Sequence, residues 1–502
     1  MLPPERRLPN VRTLIARQQF FTVHAPRQVG KTTSFLALAD SLTQSGEYAA
    51  LLTSFEMGQT FTPDLEGAVD SLLSALASRA SVWPEAWRPP TIDRSQPARV
   101  RLYDYLRRWA QKCPRPLVLF FDEIDALIDE TLLSVLRQLR TGYLERPDHF
   151  PWSIALIGLR DVRDYRIQTR GASETLGTAS PFNIKVESIR LRDFTAAEVS
   201  ELYGQFGDES FTEQALDRAF ALTRGQPWLV NALAAELVER VAPGQDVYGA
   251  DAVDAAKERL ILRQDTHLGS LIERLREPRV RRVIEPILAG VDLGESASLE
   301  DHRYASDLGL VAPGESSNLE IANPIYREII PRALASVAQT EMPLDRRPFV
   351  APDGSLRFSA LLDGFGRFWS EHAEAYLSRQ PYSEAAAQLI FMAYLQRVVN
   401  GGGLVDREYG VGSGRIDLHL RWPRRDGGLD RYALELKVWR AGSADPTDRG
   451  LDQLCDYLER LGLPSGVLVI FDARSSSLSS PPREESPVTV EHRGRRIEIR
   501  RF

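Results

Sequence analysis

Phe20-Phe21-Thr22-Val23-His24-Ala25-Pro26-Arg27-Gln28-Val29-Gly30-Lys31-Thr32-Thr33 is the stretch that decides the fold. Phe20–Val23 reads as a buried strand, and Thr32–Leu42 reads as the helix that follows it. Between them, Ala25–Thr32 fits G-x-x-x-x-G-K-[ST] except at its first position, where Ala25 replaces glycine. In that context backbone N–H groups and a helix N-terminus can wrap a phosphate. Lys31 is then expected to reach the β- and γ-phosphates and Thr32 to hold Mg²⁺. Pro26, Arg27, Gln28, Val29, Gly30 and Thr33 are expected to complete the cradle around the nucleotide.

Outward from this stretch, Ala49–Thr53, Leu117–Phe121 and Ser153–Ile157 are further continuous apolar strands with helical patterns between them. That alternation specifies a parallel sheet covered on both faces. Leu117–Phe121 ends in Asp122-Glu123, which supplies one carboxylate to the Mg²⁺ shell and a second, Glu123, to activate water. A Gly-Lys-Thr at a helix start arises by chance, and strands often end in solvated acids. Both halves on the right elements favour a nucleotide site. After about Asp193 the pattern is helical: Ala196–Tyr203, Glu213–Leu222 and Pro227–Val241. Residues from about His267 to Ala335 read as helices around two short strands, Gly309–Ala312 and Leu319–Ala322, the pattern of a winged helix.

Residues 10 to about 340 thus resemble a P-loop ATPase of the AAA+/STAND kind. The resemblance implies that Arg160, just after the strand Ser153–Ile157, senses the γ-phosphate. It also implies that Gly225-Gln226-Pro227 matches a G-x-P motif whose Pro227 lets a helical lid touch the nucleotide. An arginine after a strand is ordinarily a loop residue and Gly-x-Pro an ordinary helix breaker, so the order of these features carries the weight. Asp125 reads as a helix N-terminal acid.

A Pro-, Asp- and Arg-rich stretch, Val337–Arg357, is the linker candidate, and beyond it the order changes. A helix (Ser383–Val399), three strands (Leu404–Tyr409, Arg415–Trp422, Arg431–Trp439), a helix (Arg449–Leu461) and a strand (Gly466–Phe471) make a second α/β domain. In Arg415–Leu420 the polar face carries Asp417 and His419, and in Ala433–Trp439 it carries Glu435 and Lys437. On adjacent strands Asp417 and Glu435 would meet, and two close carboxylates call for a cation such as Mg²⁺. Lys437 would orient water and neutralise charge developing on a phosphate. A sheet with one solvated face alternates in the same way.

This second domain resembles the PD-(D/E)xK nuclease superfamily over roughly residues 365 to 475. The resemblance implies Asp417 as the middle acid, Glu435 and Lys437 as the signature pair and Glu384 as a further metal ligand. It places Gln453 and Tyr457, one helical turn apart, where they position DNA.

Composition sets the remaining bounds. The 502 residues suffice for about three domains, and 43% hydrophobic, 26% charged and 9% aromatic residues describe a globular chain. A net charge of −7 excludes a uniformly basic nucleic-acid coat. Cys113 and Cys455 are too few for a disulfide framework, so a reducing cytoplasm is the expected setting, and neither a signal peptide nor a membrane span is read. Only five of the 62 basic residues are lysines: Lys31, Lys112, Lys185, Lys257 and Lys437. Two of them fall where the two mechanisms need a compact ammonium. The terminal Arg493, Arg495, Arg496, Arg500 and Arg501 read either as phosphate contacts or as a solvated charge run.

The expected fold class is α/β multidomain, with these parts: a P-loop core (1–193), a helical lid (194–262), a winged helix (263–340), a linker (341–364) and a restriction-endonuclease-like domain (365–502). The expected function is an ATP-controlled, Mg²⁺-dependent DNA nuclease, with defence against foreign DNA as its expected setting and Mn²⁺ an alternative ion at the nuclease site. Nucleotide and DNA are the expected partners, and a homo-oligomer and an activator stay open. Two other readings stand beside it: a regulatory ATPase and DNA-binding scaffold with an inactive nuclease fold, and an ATP-driven DNA-repair nuclease.

Overall fold

The computed structural model describes residues 2–61, 64–160, 166–169, 172–175, 187–206, 210–241, 247–263, 266–289, 297–314, 319–341, 347–377, 386–399, 404–408, 417–474 and 486–502. They fall into two compact units, residues 1–256 with 307–309, and residues 257–306 with 310–502. Among the described residues no helix is long and apolar enough to cross a membrane.

The first unit is built on five parallel strands: β1 (Phe21–His24), β2 (Ala49–Ser54), β3 (Leu117–Asp122), β4 (Ser153–Gly158) and β5 (Glu187–Arg190). Their spatial order is β2-β3-β4-β1-β5. Every residue of β3 is buried, because its two faces enter two different cores. Leu119 and Phe121 pack with Phe55, Leu72, Tyr105 and Trp109, whereas Val118 and Phe120 pack with Phe35, Leu38 and Leu42 of helix α1 (Lys31–Gln44). A continuous apolar strand is what helices on both faces require. At β2, which flanks the sheet, Thr43 Oγ1 of α1 accepts from Ala50 N (3.1 Å) and donates to Ala50 O (3.2 Å). The side chain thereby occupies backbone groups that would otherwise invite another strand.

β5 is absent from the sequence reading, which ends the strands at Ile157. Its sequence Glu-Ser-Ile-Arg has no apolar run, because it lies at the other flank of the sheet and is only partly buried. Helices follow in this unit. Ala196–Gly204 starts with a capping box in which Thr195 and Glu198 each satisfy the other's backbone N–H. α2 (Pro227–Glu236) has Pro227 at its first position and Gln226 as its cap, the side chain accepting from Leu229 N.

The second unit contains the last turns of helix α3 (Ala250–Arg263), three further helices (Thr266–Arg274, Pro278–Ala289, Leu299–Asp307), the hairpin Val311–Pro313/Leu319–Ile321 and helix α4 (Pro324–Glu341). Here Lys257 Nζ lies 2.9 Å from Glu258 and 3.0 Å from Glu328. Arg332 bonds Glu328 and also donates to Val405 O at 3.0 Å.

A six-stranded mixed sheet follows: β6 (Leu404–Glu408), β7 (Asp417–Pro423), β8 (Leu429–Arg440), β9 (Ser465–Ala473), β10 (Val488–His492) and β11 (Arg495–Arg501), in the order β6-β7-β8-β9-β11-β10. β6, β7 and β8 are antiparallel neighbours, β9 runs parallel to both β8 and β11, and β10 closes the edge antiparallel to β11. One face packs through Leu418, Leu434 and Val469 against helices α5 (Phe358–Leu377) and α6 (Ala386–Val399). The other packs through Ala433, Leu468 and Ile470 against helix α7 (Thr447–Leu461).

Residues 358–364, assigned to the linker by the sequence reading, are the first turns of α5. Leu361 and Leu362 are fully buried there, because the Pro/Asp/Arg bias ends at Arg357 and an apolar helical face begins at Phe358. The terminal arginines mostly find acids of this unit. Arg493 bonds Asp456, Arg500 bonds both Glu498 and Asp363, and Arg501 bonds Asp445.

Candidate functional site

β1 delivers the chain into the loop Ala25–Gly30, and α1 leaves it at Lys31. The loop turns on two left-handed residues, Gln28 (φ 59°) and Gly30 (φ 85°). Ala25 is not among them: it is buried, with its N–H on Gly158 O at 3.3 Å. The first position therefore needs a small residue rather than glycine's conformational freedom, and the departure at Ala25 costs the loop nothing there. Lys31 is buried, and Nζ donates to Ala25 O (2.8 Å) and Pro26 O (2.9 Å), so the ammonium is held inside the loop's own curve. Burial pushes its pKa down, while Glu123, Asp122 and Asp125 oppose that shift.

β3, next in the sheet after β4, ends at the buried Asp122, whose Oδ2 accepts from Thr32 Oγ1 at 2.5 Å. Asp122 Oδ1 also takes the Glu123 N–H at 2.9 Å. The two oxygens expected to share a cation are thus already neighbours, which fits a hard ion beside a phosphate. Glu123 has φ 54° and ψ 41°, a left-handed conformation that a non-glycine residue holds only at a cost of roughly 1 kcal/mol or more. Burial, then the charges of Asp125 and Asp122, raise its pKa. Such a carboxylate is a better proton acceptor than an exposed one.

Asp125 does more than the sequence reading gave it. Its Oδ1 accepts from Leu159 N at 3.0 Å, so it pins the turn that carries Arg160 at the end of β4. The signal was in the sequence as an acid three residues past Asp122, but its partner comes from another strand.

A cleft of about 650 Å³ opens beside the loop, and Gln28, Gly30 and Thr33 share its lining with Pro227 and Trp228 of α2. Pro227 and the loop, 200 positions apart in sequence, therefore face one cavity. Gly225 (φ 79°) sets the entry to α2, with Phe194 N donating to Gly225 O at 2.8 Å. A Cβ at Gly225 would lie 1.9 Å from the backbone oxygen of Phe194. Gly225→Ala is therefore expected to destabilise the first unit by about 3 kcal/mol or more and lower its thermal midpoint by about 10 °C. A midpoint within 2 °C of wild type in a thermal melt would contradict this.

In the second unit, β7 and β8 are adjacent and Asp417 stands opposite Glu435 in the register. Glu435 is fully buried, and Lys437, two residues along the same strand, bonds its Oε1. Glu408 on β6 stands opposite Asp417 in turn, so three acids share one level of three neighbouring strands. Sequence reasoning missed Glu408, because only the β6–β7 register reveals it. Among the described residues no group of three or more His, Cys, Asp or Glu side chains is already placed to hold a metal. Glu384 lies outside the described residues.

Leu468 and Ile470 pair with Glu435 and Lys437 and so share their face of the sheet, the one α7 covers. Gln453 and Tyr457 are on that helix. Tyr457 is buried, and Gln453 Oε1 is a buried acceptor with no hydrogen-bond partner among the described residues. His419 is buried and accepts from Arg431 Nε at 3.4 Å, in keeping with a bystander role.

Comparison with known proteins gives one family. Residues 10–277, more than half of the chain, match the model of an AAA-like domain. No curated protein matches. Among solved structures the chain is similar to the RuvB Holliday junction branch migration motor of Thermotoga maritima, with 16% identity over 64% of this chain and 92% of that one and a TM-score of 0.34. It is also similar to Cdc6p from Pyrobaculum aerophilum, with 13% identity over 64% of this chain and 91% of that one and a TM-score of 0.33.

Proposed function

The chain belongs to the AAA-like domain family through residues 10–277, and from that premise we propose that it is an ATP-binding and ATP-hydrolysing switch that controls a Mg²⁺-dependent DNA nuclease, with defence against foreign DNA as its setting. In the first unit Ala25–Thr33 cradle the triphosphate, with Lys31 on its terminal phosphates. Thr32 and Asp122 would hold the Mg²⁺, which neutralises phosphate charge when bound. Glu123 takes a proton from the attacking water. Arg160 reads the γ-phosphate from the end of β4, and Pro227 carries the response into a helical lid.

In the second unit Asp417 and Glu435, with Glu384, would hold the nuclease Mg²⁺, an all-oxygen set that suits a hard cation. Lys437 supplies a cation beside Glu435, where negative charge grows on a phosphodiester. Gln453 and Tyr457 position DNA from α7. The observation that carries this half is the register: Asp417 stands directly opposite Glu435, whose buried carboxylate is bonded by Lys437.

A scaffold that binds DNA through the helix Leu299–Asp307 is less well supported. That helix has Glu300, Asp301 and Asp307 against Arg303 alone. Asp301 is already engaged by Arg279 and Arg282, at 3.1 and 2.9 Å. An acidic helix repels a phosphate backbone.

The test is cleavage of linear, circular and single-stranded DNA in Mg²⁺, with and without ATP, by the wild type and by Asp417→Ala. Wild-type cleavage is expected to depend on ATP and to fall by at least about 10³-fold in the variant, as loss of a metal ligand at a phosphoryl-transfer site entails. ATP turnover should stay unchanged. Cleavage that survives in Asp417→Ala would remove this site from the proposal.

A further inference from the structure

Arg7 is a buried cation with no part in the proposed hydrolysis or cleavage. It ends the short helix Pro4–Arg7 and is 5% exposed. Nη2 donates to Val29 O at 2.8 Å, inside the phosphate loop. Its Cζ lies 4.4 Å from the centroid of the Phe194 ring, a cation–π contact. Nη1 is buried and has no hydrogen-bond partner among the described residues. Arg7 lines the same cleft as the loop residues Gln28, Gly30 and Thr33. Among the described residues it is the one basic side chain in that lining, and Phe194, Leu202, Phe206 and Trp228 supply apolar wall.

A buried guanidinium N–H without an acceptor is costly, and the cost disappears when a ligand brings an acceptor to it. The cleft has one end made of loop backbone, suited to phosphates, and a wall of aromatic and aliphatic side chains suited to a flat ring. Arg7 belongs to the wall. A purine presents apolar faces to such side chains and ring-nitrogen acceptors at its edges.

We propose that Arg7 is the base-reading residue of this cleft, its Nη1 donating to a ring-nitrogen acceptor of the purine of a bound nucleoside triphosphate. The proposal rests on the reading of Ala25–Thr33 as a triphosphate site. The same guanidinium holds Val29 O, between the left-handed Gln28 and Gly30. Base occupancy is thereby tied to the shape of the loop that grips the phosphates.

Titration calorimetry on the full chain tests this with two probes, ATP and inorganic tripolyphosphate, against the wild type and Arg7→Gln. The expected result is that Arg7→Gln weakens ATP about tenfold or more beyond its effect on tripolyphosphate, which registers only the lost Val29 contact. Equal losses for both probes would overturn the proposal, since Arg7 would then serve the loop or the phosphates and not the base. A wild type that binds tripolyphosphate but gains nothing from the nucleoside of ATP overturns it as well. A wild type that binds neither probe fails earlier, at the triphosphate reading. Should Arg7→Gln not fold, 1-deaza-, 3-deaza- and 7-deaza-ATP on the wild type decide. One of them is expected to bind about tenfold more weakly than ATP, and equal affinity for all three overturns the assignment.

Discussion

Lys31→Ala is expected to weaken ATP binding by about two to three orders of magnitude, because it removes two or more charge-assisted hydrogen bonds to phosphate in a buried setting. The ammonium now rests on Ala25 O and Pro26 O, contacts of 2.8 and 2.9 Å to its own loop. Both partners are neutral carbonyls, so a phosphate replaces them at a net gain. Both contacts lie within the loop and join no two strands of the sheet, so the variant should fold. Lys31→Arg should not rescue binding, although 57 of the 62 basic residues of this chain are arginine. The planar fork is too wide for a space closed by two carbonyls and by Thr32 bonded to Asp122. Equilibrium binding of labelled ATP checks both variants, and an unchanged affinity in Lys31→Ala would remove the loop from the proposed function.

This loop was legible in the sequence because all its parts are local: strand, six-residue loop and helix follow one another. Asp122 was legible for the same reason, at the end of an unbroken apolar strand. Contacts between distant segments were not. Nothing in Pro4–Arg7 signals that Arg7 will reach Val29 and Phe194, and nothing near Gly225 signals that its backbone will press on Phe194. Strand order was silent as well. β5 has no apolar run to announce it, and its place beside β1 follows from the register alone.

In the second unit the alternation around Asp417 and Glu435 correctly placed them on facing positions once the strands proved adjacent. In Val488–Phe502 the residues alternate about the turn residue Gly494, which announces the hairpin of β10 and β11. That β11 runs parallel to β9 and extends the same sheet was not legible, since a hairpin alone does not state its neighbour.

The scarce lysines are not confined to the two candidate sites. Lys31 is buried, and the Lys437 and Lys257 side chains are 11% and 12% exposed, the latter set between Glu258 and Glu328, while Lys112 is exposed. Among the described residues three of the four lysines are thus largely covered, and at two of these three the cation meets buried carboxylates. Burial is consistent with catalysis at Lys437 and does not by itself distinguish it from a structural ion pair.

Stability and cleavage measured on the same variants separate the two. Lys437→Met leaves the fully buried Glu435 without this cation and is expected to destabilise the second unit by about 3–5 kcal/mol. Replacing both partners by apolar residues, Glu435→Leu with Lys437→Met, should recover most of that loss, because no buried charge is left to solvate. A purely structural pair predicts that cleavage returns along with stability in the double variant. A pair that performs the chemistry predicts a folded protein that binds ATP through Lys31 and cuts no DNA. Chemical denaturation followed by the DNA assay on each variant gives both numbers, and cleavage by the stable double variant would place the metal site elsewhere in the molecule.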